Sequence, residues 1–375
     1  MPDSPGPNSR RDFLTGKSLR DELQAATNQL ATECVIEPAA ALPVGGTIRL
    51  GKPAMACDFE VIFNAGPGAP LSAASAALDL VDQLEDQMTV YRPHGELAQL
   101  NARAAVGPVP VERRLFDLLR LAARLAEETG GAFDPTAGPL VALWRIARQA
   151  GRLPTVDELA LARALVGWRN LDFDEPVCSV RFLRKGVELN LGSIGKGYAL
   201  DRAAELLDSA GAADWMLHGG HSSVLARGAH AGGAGWPVGI RNPLFPEQRL
   251  ATLRLKDRGM STSGSGVQFF RHGGRRYGHI LDPRTGQPVE EMLSVVVLAP
   301  TAALADALST AFFVIGVEKA REYCHNHKDV TAVLIPSPQS GRRLAPVNCG
   351  IPPEDITFVP EALVTPENTG AFDLA

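Results

Sequence analysis

The 375-residue chain has few cysteines, few aromatic residues and no long apolar run. Its five cysteines are widely spaced and include no Cys-X-X-Cys pair, which argues against a disulfide framework and against a structural zinc site. No apolar segment approaches the ~20 residues needed to span a bilayer. Basic residues are interspersed among acidic ones and the formal net charge is -5, so no nucleic-acid-binding surface is expected. A nucleotide ligand is not excluded, because one or two well-placed cations suffice to bind it.

Composition divides the chain into three parts. Residues 1–45 are rich in Pro, Ser and charge and predict a flexible leader, residues 46–345 predict the folded domain, and residues 346–375 predict a Pro-rich tail. Residues 9–14 (Ser-Arg-Arg-Asp-Phe-Leu) are similar to a twin-arginine export signal, but charged residues follow where such a signal needs an apolar stretch. The localisation therefore stays open between export and the cytoplasm.

Predicted helices and strands are interspersed without a regular βαβ repeat. Apolar periodicity and capping residues predict helices over residues 71–88, 115–129, from 155, 198–210 and 302–314, the last one ending at Gly316. Strands are predicted over residues 47–50, 59–63, 187–191, 214–217, 222–226, 238–241 and 293–298. This order favours an α+β or mixed α/β architecture, in which sheet-bearing halves share a cleft.

The most informative segment, residues 190–201, joins a predicted strand to a helix through a glycine-rich loop. Such a loop points backbone N–H groups and the helix dipole at one place, which favours phosphate binding, and Lys196 could pair with a phosphate oxygen. The loop is not a Walker A motif, because Asn190 occupies a glycine position and Gly197 the position of a Ser or Thr. A simple glycine turn with a surface lysine is the alternative.

A second segment is the apolar helix that begins after Thr301 and contains Asp306, Ser309 and Thr310. Residues three and four positions apart share one helix face. Mg²⁺ prefers one or two carboxylates together with phosphate and water oxygens, so this face predicts a magnesium site. Alternatively, the helix dipole stabilises Asp306 and the Thr310 hydroxyl bonds back to a carbonyl.

The third segment, residues 277–286, places His279 and Asp282 at a strand end ahead of an Asp-Pro-Arg-Thr-Gly turn. Histidine, with a reference pKa of about 6.5, can act as a base near neutral pH, although a structural role is the alternative. His218 and His221, separated by two glycines, make a poor zinc-ligand pair.

Together these segments resemble the FAD:protein FMN transferase (ApbE-like flavin transferase) family, from about residue 55 to residue 316. The matching motifs follow the family's order: Tyr91 with Glu96 and Asn101, then residues 130–140, 191–201, 260–264, 279–286 and 305–311. The resemblance implies a fold of two lobes with β-sheets flanked by helices around a T-fold-like core, with the flavin in the cleft.

The family's functional residues carry over to matching positions here. The resemblance implies that His279 lies at the reacting centre, oriented by a neighbour such as Asp282. It also implies flavin-binding residues (Met55, Tyr91, Ala132, Phe133, Asp134, Asn190, Lys196 and Ile280) and Mg²⁺ ligands (Ser193, Asp306, Ser309 and Thr310). Members transfer FMN from FAD to a Thr or Ser of a target protein, typically a flavin-bearing subunit of a redox complex, and release AMP.

The chain departs from the family pattern at two positions. Asn190 stands where the family usually has Asp, which removes a negative charge but keeps hydrogen-bonding capacity. His221 replaces the Asp or Asn of a Gly-Gly-Asp turn. Two other functions stay open: hydrolysis of FAD to FMN and AMP, and FAD binding without catalysis.

Overall fold

The computed structural model describes residues 46–66, 70–266, 269–338, 343–360 and 363. The predicted leader and its arginine motif lie outside these residues. In the described ranges, no helix combines the length and apolar character needed to cross a membrane.

Helices and strands are interspersed along the described chain, as predicted. The helices are α1 (Leu71–Met88), α2 (Glu96–Arg103), α3 (Arg113–Glu128), α4 (Gly138–Gln149), α5 (Val156–Arg163), α6 (Gly195–Ser209) and α7 (Ala302–Asn326). The strands are β1 (Thr47–Ala54), β2 (Cys57–Asn64), β3 (Val109–Pro110), β4 (Leu171–Asp174), β5 (Ser179–Phe182), β6 (Trp215–Gly219), β7 (Ser223–Arg227), β8 (Trp236–Arg241), β9 (Arg249–Leu255), β10 (Arg258–Gly264), β11 (Phe269–His272), β12 (Arg275–Gly278), β13 (Met292–Ala299), β14 (Thr331–Pro336), β15 (Val347–Cys349) and β16 (Ile356–Phe358).

An eight-stranded antiparallel sheet organises the molecule, in the order β1-β2-β6-β7-β10-β13-β14-β15. Both of its faces are covered. In β13, Val295 and Val297 pack into one apolar cluster while Val296 and Leu298 pack into another on the opposite face. A strand buried on both sides needs an unbroken apolar run, which explains the β-prone sequence of residues 293–298.

Helices cover one face of this sheet, and a three-stranded sheet (β16-β9-β8) lies against the other. Helices α1, α6 and α7 pack together on the helical side, with α6 between the other two. A second small sheet (β3-β5-β4) and the hairpin β11–β12 complete the fold. The predicted mixed α+β class is confirmed.

Several element boundaries match the prediction and others differ. Helix α1 begins and ends at the predicted residues. The predicted strand over residues 187–191 is wrong, because the only ladder contact there is an isolated bridge between Glu188 and Ala137. The helix predicted to end at Gly316 continues to Asn326, with Gly316 at a φ of 78° as a break in the middle.

Two strands lie in the segment predicted as a Pro-rich tail. Strand β15 joins the edge of the large sheet and β16 pairs with β9. Cys349, Ile351 and Ile356 are buried there, so burial of apolar side chains holds this part of the chain. Residues 347–349 and 356–358 therefore belong to the sheets rather than to a tail.

Candidate active site

The candidate site lies where the first turns of α6 and α7 meet. A Cβ atom on Gly197 would lie 2.1 Å from the Ala302 carbonyl oxygen, so only glycine permits this contact. The Asp201 carboxylate accepts hydrogen bonds from the Ala302 and Ala303 N–H groups at 2.8 and 2.9 Å. Burial raises the pKa of Asp201 to about 7. Two helix N-termini, each the positive end of a dipole, are thereby brought together.

The Asp306 carboxylate projects from α7 into this junction. Its Oδ2 accepts a hydrogen bond from the Gly197 N–H, and its Oδ1 accepts one from the Ser223 hydroxyl, both at 2.6 Å. Only 4% of Asp306 is exposed. A buried carboxylate is costly unless it is paired, and hydrogen bonds from two elements meet that requirement here.

Hydroxyl groups from α7 and β10 lie beside Asp306. The Ser309 Oγ is 2.8 Å from the Ser263 Oγ and 3.3 Å from the Ser261 Oγ, and the Thr310 Oγ1 is 3.4 Å from the Ser263 Oγ. The predicted face of Asp306, Ser309 and Thr310 is thus present. In the described part of the chain, no three acidic, histidine or cysteine side chains gather as a metal-binding group. A cation here would rely on one carboxylate and on hydroxyl oxygens.

Lys196 lies in the first turn of α6. Its Nζ donates a hydrogen bond to the Ser222 Oγ at the β6–β7 turn. Its charge also acts on the buried Cys57, whose pKa burial raises to about 11. Ser222 and Ser223 therefore connect one turn to both Lys196 and Asp306.

The backbone N–H groups of the glycine-rich loop are not arranged as the predicted phosphate-binding site requires. The Gly192 N–H donates to the Asn190 Oδ1, the Ile194 and Gly195 N–H groups donate to the Leu191 carbonyl, and the Gly197 N–H donates to Asp306. These amides are not directed at an external ligand, because the loop closes on itself and on α7. A phosphate held here would depend on the Lys196 ammonium more than on these amides.

Asn190 and Asn101 fix the chain that enters this loop. The Asn101 side chain donates to the Leu189 carbonyl at 3.0 Å and accepts from the Leu189 N–H at 2.8 Å. The Asn190 N–H donates to the Pro135 carbonyl at 2.7 Å. The backbone N–H and C=O groups of this segment were predicted to pair in a strand ladder. They bond instead to the Asn101 side chain and to the Pro135 carbonyl.

The β6–β7 turn has a conformation that depends on its glycines and strains its histidine. A Cβ on Gly219 would meet the Phe59 ring, and one on Gly220 would meet Cys57, each at 2.7 Å. His221 has a φ of 57°, and its ring stacks on that of His218 with centroids 4.8 Å apart. Burial, and then the nearby His218, lower the pKa of His221 to about 4.

Met55 occupies the tight β1–β2 turn. Met55 and Ala56 both have positive φ angles, 49° and 61°, which cost energy for residues other than glycine. The Met55 N–H donates to the Glu85 Oε2 at 2.6 Å, which holds the turn against α1. Strain at a predicted flavin contact is consistent with a functional turn.

Tyr91 and the segment over residues 132–134 differ sharply in exposure. Tyr91 is 67% exposed, and the Arg145 guanidinium carbon lies 5.1 Å from its ring centroid. Ala132 and Phe133 are buried in the core and offer little surface to a ligand. Asp134 accepts hydrogen bonds from Thr136 and from the Trp168 N–H, and burial raises its pKa. Residues 132–134 therefore have a packing role, whereas the Tyr91 ring is available for contact with a ligand.

His279 and Asp282 lie on the segment that follows β12. His279 is exposed and the adjacent Ile280 is buried. Both Asp282 carboxylate oxygens accept hydrogen bonds from the Arg284 guanidinium, at 2.8 and 2.9 Å. The turn is held in place by the Trp144 Nε1, which donates to the Gly286 carbonyl at 2.8 Å. Orientation of His279 by Asp282 remains a prediction.

The structure brings some predicted residues together and adds others. Asp306, Ser309, Thr310 and Lys196 converge on the helix junction, whereas Ser193 is half-buried in the neighbouring loop. Ser222, Ser223 and Glu85 were not predicted as site residues. Ser222 and Ser223 could have been found, because two adjacent serines follow a Gly-Gly turn. No sequence pattern around Glu85 distinguishes it from other acidic residues.

Comparisons with known proteins agree with these motifs. The family model described as the ApbE family matches residues 55–335. An FAD:protein FMN transferase from Treponema pallidum is 36% identical over 290 residues, which cover 73% of this chain and 80% of that protein. An FAD:protein FMN transferase from Salmonella typhimurium is 33% identical over 263 residues, which cover 66% of this chain and 75% of that protein. The solved structure of the flavin transferase ApbE from Vibrio cholerae gives a TM-score of 0.71 at 26% identity and covers 81% of this chain and 97% of that one. The chain belongs to the ApbE family.

Proposed function

We propose that this protein transfers the FMN half of FAD to a Thr or Ser hydroxyl of a target protein and releases AMP, with Mg²⁺ bound at the helix junction. Relatives named FAD:protein FMN transferase, similar over most of the chain, support the reaction. The observation that carries the proposal is the buried Asp306 carboxylate, fixed between two helix N-termini and close to Lys196 and several hydroxyl groups.

The residues at the junction fit Mg²⁺ better than a softer metal. They offer one carboxylate and several hydroxyl oxygens. Mg²⁺ accepts such a sparse oxygen set because it retains waters and takes substrate phosphate oxygens. Asp306, Ser309 and Thr310, with Ser193 from the loop, would hold it. Bound there, the ion would neutralise charge on the pyrophosphate.

The chain's own residues then bind and orient the substrate. The Lys196 ammonium exchanges its hydrogen bond to Ser222 for a phosphate oxygen, a charge-assisted contact. The exposed Tyr91 ring offers a face on which a flat ring of FAD stacks. Met55, at the strained turn, and the buried Ile280 contribute apolar contact on the flavin side.

The reaction exchanges the phosphoanhydride bond of FAD for a phosphoester bond to the acceptor. His279 takes the proton of the acceptor hydroxyl, whose oxygen forms a bond to the FMN phosphorus. The bond between that phosphorus and the bridging oxygen of the pyrophosphate breaks, and AMP leaves with the bonding pair. General-base assistance of this kind contributes roughly 10²–10⁴ in rate.

One incubation separates transfer from its alternatives. The protein is mixed with FAD, Mg²⁺ and a peptide that contains one Thr, and the products are examined by in-gel flavin fluorescence and by chromatography. Fluorescence on the peptide with AMP in solution supports transfer. Free FMN with AMP identifies hydrolysis, and intact FAD on the protein identifies storage. Either of the last two results would overturn the proposal.

A further inference from the structure

The hairpin β11–β12 presents two chemically different faces. Its strands pair so that Phe270 lies opposite Tyr277 and Arg271 lies opposite Arg276. Because side chains alternate along a strand, Phe270 and Tyr277 share one face, and Phe269, Arg271 and Arg276 share the other, here called the arginine face.

The first face attaches the hairpin to the body of the protein. The Phe270 and Tyr277 rings stack with centroids 5.2 Å apart, and the Trp144 ring of α4 lies about equally close to both, at 6.0 and 6.2 Å. The Arg275 guanidinium bonds to both Glu290 carboxylate oxygens. Aromatic packing and this ion pair account for the position of the hairpin.

Folding contacts explain only part of the arginine face, since Arg276 donates to backbone carbonyls whereas no hydrogen bond of the Arg271 side chain is seen among the described residues. Arg271 and Arg276 are direct cross-strand partners, and like charges at such positions destabilise a hairpin. Both side chains are exposed. Their guanidinium carbons lie 5.8 and 3.9 Å from the Phe269 ring centroid, so both cations lie against the same ring. Among the described residues no carboxylate forms an ion pair with Arg271 or Arg276, since Glu290 and Asp282 pair with Arg275 and Arg284 instead.

The arginine face borders the candidate active site on two sides. Strand β12 ends at Gly278, directly ahead of His279. On the other side, the Arg276 guanidinium donates to the Ser265 and Gly266 carbonyls. These two residues follow Ser263 in sequence, and the Ser263 hydroxyl contacts Ser309 at the helix junction. Three residues of extended chain span about 10 Å, which is the separation expected between the Arg276 and His279 backbones.

We propose that the arginine face binds an acidic residue of the target protein's acceptor segment, roughly three residues from the Thr or Ser that receives FMN. This inference rests on the proposed function, because it assigns a partner to that same site. Charge complementarity favours an acidic polypeptide, and the adjacency to His279 places the ion pair beside the reacting hydroxyl. The two arginines would then select the target as well as attract it.

The test uses the full chain with FAD, Mg²⁺ and peptides of equal length that contain one central Thr. One set has Asp three residues before or after the Thr, a second has Asn there, and a third has Lys. The expected kcat/KM is about fivefold higher for the better Asp peptide than for its Asn counterpart, and the difference should shrink in high salt.

Charge reversal identifies the surface. Arg271→Glu should abolish the preference for Asp and favour the Lys peptide, while FAD binding measured by flavin fluorescence stays unchanged. The control Lys185→Glu makes the same charge change on the exposed loop after β5 and should keep the preference. An unchanged Asp preference in Arg271→Glu would overturn the inference.

The failure of this inference differs from the failure of the proposed function. If the wild-type protein flavinylates Asp, Asn and Lys peptides equally, transfer stands and the arginine face has no such role. If no peptide is flavinylated, fluorescence anisotropy of labelled peptides still decides the matter. If the Asp peptide binds more tightly to the wild type than to Arg271→Glu, the arginine face binds acidic residues as proposed. Equal binding contradicts this.

Discussion

The Asp306 carboxylate and the Gly197 N–H form a 2.6 Å hydrogen bond that joins the first turns of α7 and α6. The bond is possible because Gly197 has no side chain and lies against the Ala302 backbone. It fixes a negative charge at the positive ends of two helices, where that charge is stabilised. The same carboxylate is the central member of the proposed Mg²⁺ site.

Asp306→Asn should nearly abolish Mg²⁺-dependent AMP release. The amide removes the anionic ligand while retaining the size of the side chain, and the loss is expected to be roughly 10²–10³ in rate. The measurement is AMP release at increasing Mg²⁺ concentration. Asp329→Asn, at an exposed carboxylate outside the site, is the matched control and should titrate like wild type. Wild-type Mg²⁺ dependence in Asp306→Asn would remove this residue from the metal site.

Gly197→Ala should destabilise the fold as well as the site. The added Cβ would lie 2.1 Å from the Ala302 oxygen and 2.6 Å from the Ala303 nitrogen, so α6 and α7 must separate. The expected loss in free energy of unfolding is about 3 kcal/mol or more. Urea unfolding measures it, with Gly107→Ala as the control because nothing lies within 4 Å of that position. Equal stability of the two variants would contradict the close helix contact.

Asn101→Ala should loosen the segment that leads into the glycine-rich loop. The substitution leaves the Leu189 N–H and carbonyl without their side-chain partners, at an expected cost of about 2–3 kcal/mol. Asn101→Asp keeps the acceptor for the Leu189 N–H but sets a carboxylate oxygen against the Leu189 carbonyl, so it should also lose stability. Chemical denaturation ranks the two variants. If Asn101→Ala were as stable as wild type, these hydrogen bonds would not hold the loop.

His221→Asn should change how stability depends on pH. The folded protein lowers the pKa of His221 from 6.5 to about 4, so the neutral ring is favoured in the fold. Its contribution is complete above pH 6.5 and is lost as the pH falls from 6.5 to 4, by about 1–3 kcal/mol. Asn tolerates the positive φ and does not titrate.

The measurement for His221→Asn is the free energy of unfolding at several pH values, compared with wild type. His218, which contacts both Glu60 and His221, is retained in both proteins, so the comparison changes only the residue at position 221. As the pH falls, we expect the free energy of unfolding to decrease less in the variant than in the wild type. Parallel stability curves would show that His221 titrates normally.

The sequence predicted those features that depend on local periodicity. The apolar spacing of α1 gave both of its ends, and the i, i+3 and i+4 positions placed Asp306, Ser309 and Thr310 on one face. The turn composition of residues 282–286 likewise predicted a real turn.

Features that depend on distant parts of the chain were not predictable. Residues 187–191 alternate like a strand, but their backbone is satisfied by Asn101, 88 residues away in sequence. Ser223 bonds to Asp306 across 83 residues. Residues 347–358 have little periodicity, and β15 and β16 form because they pair with strands of two sheets and bury apolar side chains against them.

The most direct test of FMN transfer is the molar ratio of AMP released to peptide flavinylated. Wild-type protein is incubated with FAD, Mg²⁺ and a Thr peptide, AMP is quantified by chromatography, and the peptide is analysed by mass spectrometry. The proposal predicts equal amounts of AMP and of peptide that carries one FMN phosphoester on its Thr, and none on the matching Ala peptide. AMP release with free FMN and unmodified Thr peptide would contradict it.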